Sequence, residues 1–359
     1  MPQLAKPDLE MICDSTESQW HSFRNQQLFI TGGTGFFGRW MLESFLAAND
    51  RFALKARATV LTRDPARFRN SGPHLADHPA ITLLHGDVRS FPFPQGEFSF
   101  VIHAAADVSV ARGHGHADPS RLIVTTFDGT RRTLDFAASH GTRRFLMVSS
   151  GAVYGPQPPS LSHIPETHTG APDPCLPQSA YGEGKRASEA LCAAYSAPGK
   201  LECPIARPFA FVGPHLALDQ GFAVGDFIRC ALTAQPIIIR GDPATMRSYL
   251  YAADLAVWLW TILSRAEPLR PYNVGSDQAI SIAALAEEVT SVLCPGLPVQ
   301  IASGFQPGAT RSQYVPATQR SAEELGLRQT VFLRDAIRRT AEWHGWRNGS
   351  SLPREGALH

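Results

Sequence analysis

A tyrosine and a lysine in the segment SAYGEGKRASEALCAAY, which begins at Ser179, have a spacing that permits acid–base chemistry. Tyr181 and Lys185 are four residues apart, so on a helix they share one face. A phenol has a pKa of about 10, and an adjacent ammonium group favours its ionised form. The pair predicts proton exchange with a hydroxyl or ketone near neutral pH. The alternative is an exposed helix pair without a role.

A glycine-rich segment near the N-terminus, ITGGTGFFG (30–38), lies between a predicted strand and a predicted helix. Gly32 permits a tight turn, Gly35 lets the backbone approach a pyrophosphate, and Gly38 lets the helix pack close to the strand. Phe36 and Phe37, within the same segment, are expected to contact the cofactor, and the N-terminus of the helix stabilises the anion. The strand and helix on either side are the context that a dinucleotide site requires. The segment therefore predicts NAD or NADP as cofactor.

The end of the second predicted strand, LTRDP (61–65), bears on the choice between these cofactors. Arg63 suits a 2′-phosphate and favours NADP, whereas Asp64 would suit the ribose hydroxyl of NAD. A solvated, charged turn is the alternative for both residues. Asp87 and Val88 end the third strand and are placed to border the adenine.

Short apolar runs alternate with longer amphipathic segments from Gln27 onward, which predicts βαβ units and a parallel sheet. The fold class is α/β, a Rossmann doubly wound parallel sheet with a smaller C-terminal substrate-binding lobe. The predicted strands of the sheet are 28–31, 58–62, 81–87, 98–106 and 143–150, with helices to about 48, across about 121–140 and from near 181. Further along, we predict helices at 221–234, within 248–263 and at 280–293, and a strand at 236–240.

Four regions follow from this pattern. Residues 1–26 are expected to be a short polar N-terminal arm, and 27–205 mainly an NAD(P)-binding Rossmann domain. Residues 206–347 are expected to be mainly a substrate-binding lobe, interleaved with the last Rossmann strands. Residues 348–359 are expected to be a flexible tail.

The composition argues against several classes of protein. Lys and Arg (33) nearly balance Asp and Glu (32), so no basic footprint for nucleic acid or an anionic membrane is present. The longest apolar run, 255–263, is too short to span a bilayer, and no signal peptide is recognisable. The six cysteines lack C-x-x-C spacing and the 13 histidines form no cluster, so we expect free thiols, a cytoplasmic location and no metal.

The segments TGGTGFFG, HAAA (103–106) and Ser150 ahead of YGEGK together resemble the extended short-chain dehydrogenases/reductases. Within them the chain is similar to the NAD-dependent epimerase/dehydratase family, which acts on nucleotide sugars, over roughly residues 27–340. The resemblance implies that Ser150 binds the reacting hydroxyl or ketone and that Tyr181 is the general acid/base. Lys185 becomes its electrostatic partner, and Tyr181 and Lys185 also contact the cofactor. A nucleotide-sugar substrate and a homodimer, joined through helices near 126–139 and 181–195, are implied as well.

Further residues receive roles from the same resemblance. Arg247 matches the arginine that reaches the substrate diphosphate, and Arg311 is a second candidate for that role. For both arginines, surface charge without a role is the alternative. Pro208 and Phe209 are expected to pack beside the nicotinamide. The three alanines of HAAA are expected to border the cofactor; they are Ala104, Ala105 and Ala106.

The chain also departs from the family pattern. The 4,6-dehydratases carry Asp and Glu where this chain has Gly151 and Ala152, and the sugar-acid decarboxylases usually carry Glu at the second position. Neither Gly nor Ala exchanges a proton, so both reactions are disfavoured. Ala210 and Thr126 replace two substrate-contacting asparagines of the family.

These observations favour an epimerase that acts at C4 of a hexose through a 4-keto intermediate. An NADPH-dependent reductase of a nucleotide 4-keto sugar is the alternative, and a 4,6-dehydratase ranks below both. An NADP-binding regulatory protein on the same fold is the non-enzymatic alternative.

Overall fold

The computed structural model describes residues 2–106, 118–197, 199, 201–302 and 312–347. The strands are β1 (Gln27–Thr31), β2 (Arg57–Thr62), β3 (Ile81–His85), β4 (Phe100–His103), β5 (Arg144–Val148), β6 (Ile205–Pro208), β7 (Phe211–Val212), β8 (Ile237–Ile239), β9 (Met246–Arg247), β10 (Leu250–Tyr251), β11 (Pro271–Val274), β12 (Ile280–Ser281), β13 (Val299–Ile301) and β14 (Gln313–Tyr314). The α-helices are α1 (Lys6–Ser15), α2 (Glu17–Trp20), α3 (Phe36–Arg51), α4 (Pro65–Ser71), α5 (Pro73–Ala76), α6 (Pro119–Ser139), α7 (Ala180–Ser196), α8 (Ala223–Leu232), α9 (Ala252–Arg265), α10 (Ile282–Leu293), α11 (Gln319–Leu325) and α12 (Leu333–Trp343).

Seven strands form one parallel sheet in the order β11-β6-β5-β4-β1-β2-β3. This confirms the predicted α/β Rossmann fold. Four of its strands, β1, β2, β4 and β5, are buried along almost their whole length because helices cover both faces of the sheet. The carboxyl ends of the strands meet at one edge, which is where open α/β sheets bind ligands.

Several predicted strands end earlier than their apolar runs. β3 stops at His85, β4 at His103 and β5 at Val148. The N–H of the next residue still donates to a carbonyl of the neighbouring strand in each case, from Gly86, Ala104 and Ser149, and the regular ladder ends there. After β4, for example, the Ala105 N–H donates to a side-chain oxygen, Thr31 Oγ1, at 3.2 Å. The residues that follow each strand are therefore loops at the ligand-binding edge.

The segment before β1 is part of the core and not a polar arm. Its two helices bury Ile12 and Trp20, and Trp20 packs against Trp260 with ring centroids 4.7 Å apart. Asp8 is buried as well, and it accepts hydrogen bonds from Tyr251 Oη and Arg339 Nη1, each at 2.6 Å. The polar residues of the segment interrupt its apolar periodicity, so the sequence pattern did not indicate that one face of these helices is buried.

The C-terminal part contains the predicted helices as α8, α9 and α10, and the predicted strand at 236–240 as β8. Three small sheets accompany them, in the orders β10-β7, β12-β9-β14 and β13-β8. The boundary between the two lobes at 205 stays a prediction, and the predicted tail at 348–359 lies outside the described residues. No helix in the described ranges is long and apolar enough to cross a bilayer.

Candidate active site

The glycine-rich loop fits a dinucleotide. Gly32 has φ +72°, and a Cβ added there would lie 2.5 Å from the carbonyl carbon of Ala104. A Cβ on Gly38 would lie 2.3 Å from the Gly32 oxygen, so both positions admit only glycine. Gly35 is exposed and precedes α3, whose first amide groups lack helical partners. The backbone therefore offers donors and close approach to a pyrophosphate.

Phe36 and Phe37 open α3 and are both half-buried. Phe37 packs edge-on against Phe211, with ring centroids 5.0 Å apart. Its ring thus holds α3 against β7, and the backbone amides of this turn are the groups left to bind a phosphate. The predicted contact of both residues with the cofactor stays a prediction.

Asp64, in the turn after β2, caps the helix that follows it. Its Oδ1 accepts a hydrogen bond from the Arg67 N–H at 2.8 Å and so caps α4. Arg63 beside it is exposed. The Asp87 carboxylate accepts three hydrogen bonds from Arg89, from Nε at 2.8 Å, from Nη2 at 3.1 Å and from the backbone N–H at 2.9 Å, and these bonds hold the pKa of Asp87 below its usual value. Val88 lies against Gly129 on α6.

The three alanines continue from β4 and run beside the glycine loop. The Ala104 N–H donates to the Thr31 oxygen and the Ala105 N–H to Thr31 Oγ1, both at 3.2 Å. Ala106 is exposed. Residues 104 and 105 thus border the loop in which the cofactor is predicted to lie.

Lys185 lies on α7 and is fully buried beneath the end of β5. Its Nζ donates to the Val148 oxygen at 2.8 Å. Burial lowers the pKa of Lys185 to about 8, and the carboxylate of Glu189 opposes this shift. The ammonium group is therefore fixed in place and close to losing its proton at mildly alkaline pH.

Ser150 and Tyr181 each lie next to a packed contact between α7 and the loop after β5. Ser150 begins a 3₁₀ turn, Gly151–Tyr154, and its Oγ accepts a hydrogen bond from the Ala152 N–H at 3.1 Å. A Cβ on Gly182 would lie 2.7 Å from the Ala152 oxygen, so the first turn of α7 touches this loop. The half-buried Tyr181 is the residue before this contact. The fold thus brings the three predicted catalytic residues to one place.

The space beside Gly151 is already filled. A Cβ on this residue would lie 2.6 Å from Tyr314 Oη and 2.8 Å from the ring of Phe209. These two rings also pack against each other, with centroids 4.6 Å apart. Phe209 follows the buried Pro208 at the end of β6. Tyr314 was missed by the sequence reasoning, because no local pattern connects it with the loop.

Arg247 is half-buried on β9, directly beside Tyr314 on β14. Burial lowers the pKa of Arg247 from its usual value. Its Nη1 donates to the Met246 oxygen at 2.8 Å, and Ser312 Oγ lies 3.5 Å from both terminal nitrogens. Arg311 lies outside the described residues.

The two replaced asparagines differ in their surroundings. Thr126 is buried and its hydroxyl donates to the Leu122 oxygen at 2.9 Å, so it serves its own helix. Ala210 is half-buried against the core. In the described part of the chain, no group of His, Cys, Asp and Glu side chains is able to hold a metal ion.

A second network, also missed from the sequence, surrounds Glu189. Its carboxylate accepts hydrogen bonds from Ser149 Oγ and from both Nε and Nη2 of Arg207. The signal was visible in YGEGKRASE, since Tyr181, Lys185 and Glu189 recur every four residues on one helical face.

A parallel sheet with this glycine loop and this tyrosine–lysine pair is the arrangement expected of an extended short-chain dehydrogenase/reductase. A family model described as the NAD dependent epimerase/dehydratase family matches residues 28–275. The chain belongs to this family, whose description and solved relatives name NAD.

Relatives and solved structures agree with this assignment. The chain is 28% identical to UDP-glucuronic acid decarboxylase 1 of Arabidopsis thaliana over 87% of its own length and 68% of the relative's. It is 26% identical to a dTDP-glucose 4,6-dehydratase of Streptomyces antibioticus over 88% and 92% of the two chains. The fold resembles the UDP-N-acetylglucosamine 4-epimerase of Methanobrevibacter ruminantium M1, with a TM-score of 0.75, 19% identity and coverage of 89% and 98%. These relatives differ in reaction, so the fold alone does not distinguish among the reactions.

Proposed function

We propose that the protein is an NAD(P)-dependent nucleotide-sugar epimerase that acts at C4 of a hexose, with Tyr181 as general acid/base. The substrate class is supported by the family and by relatives named for UDP- and dTDP-sugars. Arg247 is proposed to bind the diphosphate, since a half-buried guanidinium with a lowered pKa gains from an anionic partner. Arg311 is proposed to assist it.

Each residue of the site has a distinct role in this reaction. Ser150 orients the C4 hydroxyl, and Tyr181 in its phenolate form accepts the hydroxyl proton as the C4–H bond breaks. The buried Lys185 ammonium lowers the pKa of the neighbouring phenol through its charge. A nicotinamide cofactor held by the glycine-rich loop and by Ala104 and Ala105 would supply reversible hydride transfer at C4. After the 4-keto sugar turns over in the site, Tyr181 gives the proton back to the C4 oxygen.

The packing around Gly151 is the observation that carries the proposal. The rings of Phe209 and Tyr314 fill the space that a side chain at this position would need, and Ala152 follows it. Water loss and decarboxylation of the relatives' type use carboxyl side chains at these positions, and here no such side chain is present. Redox chemistry at one carbon needs none.

A reductase of nucleotide 4-keto sugars is the second candidate, because of the cofactor. Asp64 is occupied as the cap of α4, which leaves the exposed Arg63 to meet the adenosine ribose. A guanidinium there favours the 2′-phosphate of NADP, and NADPH is the usual hydride donor for reduction.

The test is to incubate the purified protein with UDP-, dTDP-, CDP- and GDP-sugars and either cofactor. Interconversion of C4 epimers without net change in absorbance at 340 nm supports the epimerase. Stoichiometric NADPH oxidation by a 4-keto sugar supports the reductase. Loss of water or CO₂ from a substrate contradicts both. Tyr181→Phe should abolish turnover while cofactor binding persists, and equal activity of this variant refutes the mechanism.

We also propose a homodimer joined through α6 and α7, which pack together and leave Val124 exposed on α6. Light scattering coupled to gel filtration distinguishes it from a monomer. A cytoplasmic location is proposed on the basis of the six cysteines, all of them free thiols.

A further inference from the structure

The carboxylate of Glu189 connects three elements of the site. It lies on α7, four residues after Lys185, and accepts a hydrogen bond of 2.6 Å from Ser149 Oγ in the loop after β5. Arg207 on β6 donates two more, from Nε at 3.0 Å and from Nη2 at 2.6 Å. Both side chains of this ion pair are largely buried, with 13% and 14% of their surface exposed. The arginine also lies 4.7 Å from the ring centre of Tyr154.

Two successive turns of α7 hold two successive residues of β5 and its loop. Lys185 binds the oxygen of Val148, and Glu189 binds the hydroxyl of Ser149. Ser150 is the next residue after Ser149. The contacts of Lys185 and Glu189 therefore fix the distance between Ser150 and Tyr181, which lies on α7 as well. A side chain that orients a substrate must be held to within fractions of an ångström.

Glu189 is also the ionised group that favours the charged form of Lys185. The other titratable groups around this lysine are Tyr181 and Cys192 on α7 and His103 on β4. A hydrogen bond with Cys203, together with burial, raises the pKa of Cys192, and burial lowers the pKa of His103 to about 3, so the cysteine and the histidine are both neutral near pH 7. Arg207 forms an ion pair with Glu189 and partly neutralises its charge.

This inference rests on the proposed function and adds a residue to it. We propose that Glu189 is a positioning residue. It holds the loop after β5, which contains Ser150, in register with α7, and its charge, partly neutralised by Arg207, keeps Lys185 an ammonium ion in the working enzyme. Glu189 touches neither substrate nor cofactor in this role and acts through Ser149 and Lys185.

The test follows one pH inflection in three variants. Thermal unfolding is recorded from pH 7 to 10.5 without substrate, and the inflection that disappears in Lys185→Met is assigned to the lysine. Glu189→Gln should move this inflection down by about one pH unit, because it removes the nearest negative charge. Arg207→Gln should move it up, because Glu189 is then no longer neutralised. Ser149→Ala, the matched control, removes a hydrogen bond of Glu189 and should leave the inflection in place.

Opposite shifts distinguish this role from a structural one. If the ion pair served stability alone, Glu189→Gln and Arg207→Gln would both break it and would move the inflection in the same direction or not at all. Either of these results overturns the proposal. In turnover, Glu189→Gln should lower kcat about tenfold and change KM for the nucleotide sugar less than about threefold. If Glu189→Gln does not fold, an upward shift in Arg207→Gln supports the proposal and a downward or absent shift overturns it. Because unfolding needs no substrate, a protein inactive on all nucleotide sugars would refute the proposed function and leave this test readable.

Discussion

Gly151→Ala tests the packing that separates this chain from its dehydratase and decarboxylase relatives. The new methyl group would lie 2.6 Å from Tyr314 Oη and 2.8 Å from the Phe209 ring, well inside contact distance. Overpacking of this kind costs about 1–3 kcal/mol, and the reduced freedom of the unfolded chain returns about 0.4–1 kcal/mol. We expect a net loss of about 1–2 kcal/mol in the free energy of unfolding, measured by urea denaturation at pH 7.

The matched control is Gly241→Ala, which makes the same chemical change where a Cβ meets nothing within 4 Å. This variant should be as stable as the parent protein or slightly more stable. In a Tyr314→Phe background the contact at 2.6 Å is absent, so Gly151→Ala should cost less there by about 0.5 kcal/mol or more. Equal stability of Gly151→Ala and Gly241→Ala would refute the argument from packing. The activity of Gly151→Ala should fall roughly tenfold or more, because Ser150 is the adjacent residue.

Three further predictions concern the charge and the cofactor. The pKa of Lys185 is about 8 in the folded protein and about 10.4 unfolded, so between these values the unfolded state binds more protons and stability should rise with pH, by about 3 kcal/mol in all. Urea denaturation at pH 7 and pH 10 should show this rise and its loss in Lys185→Met. Gly38→Ala places a methyl group 2.3 Å from the Gly32 oxygen, so it should abolish the increase in unfolding temperature that NAD⁺ produces; an unchanged increase contradicts the fit of the loop. Arg63→Ser should raise the Kd for NADPH roughly tenfold and leave that for NADH unchanged, by fluorescence titration, and parallel changes would remove the argument for NADP.

The sheet was predictable because its evidence is local. Each of the strands β1 to β5 is a short apolar run, and the helices after β1, β4 and β5 have their own periodicity, so this order of elements is readable along the chain. The same holds for the glycine loop and for Tyr181 and Lys185, because a spacing of four residues within one segment places both side chains on the same face of a helix. These features needed no knowledge of how distant segments meet.

The missed residues depend on contacts between distant segments. Tyr314 reaches Gly151 only because β14 pairs with β9 in the folded lobe. The sequence near either residue contains no pattern that predicts this contact. Asp8 reads as a surface charge in its own segment, yet it is buried against Arg339. Sequence periodicity reports which face of an element is apolar, and it does not report which partner covers that face.

The anchoring of the first helix has a consequence for synthesis. α1 is translated before the other elements described, but the hydrogen bond of Asp8 with Arg339 joins residues 331 positions apart. The other partner of Asp8, Tyr251, lies 243 positions away, and the Trp20 ring packs against Trp260, which is also distant in the sequence. The contacts of the first helices with Tyr251, Trp260 and Arg339 therefore form only after most of the chain has been translated. The hydrogen bond from the Leu4 N–H to Glu43 on α3, at 2.7 Å, joins segments that are made much earlier, so only part of the burial of these helices depends on the end of the chain.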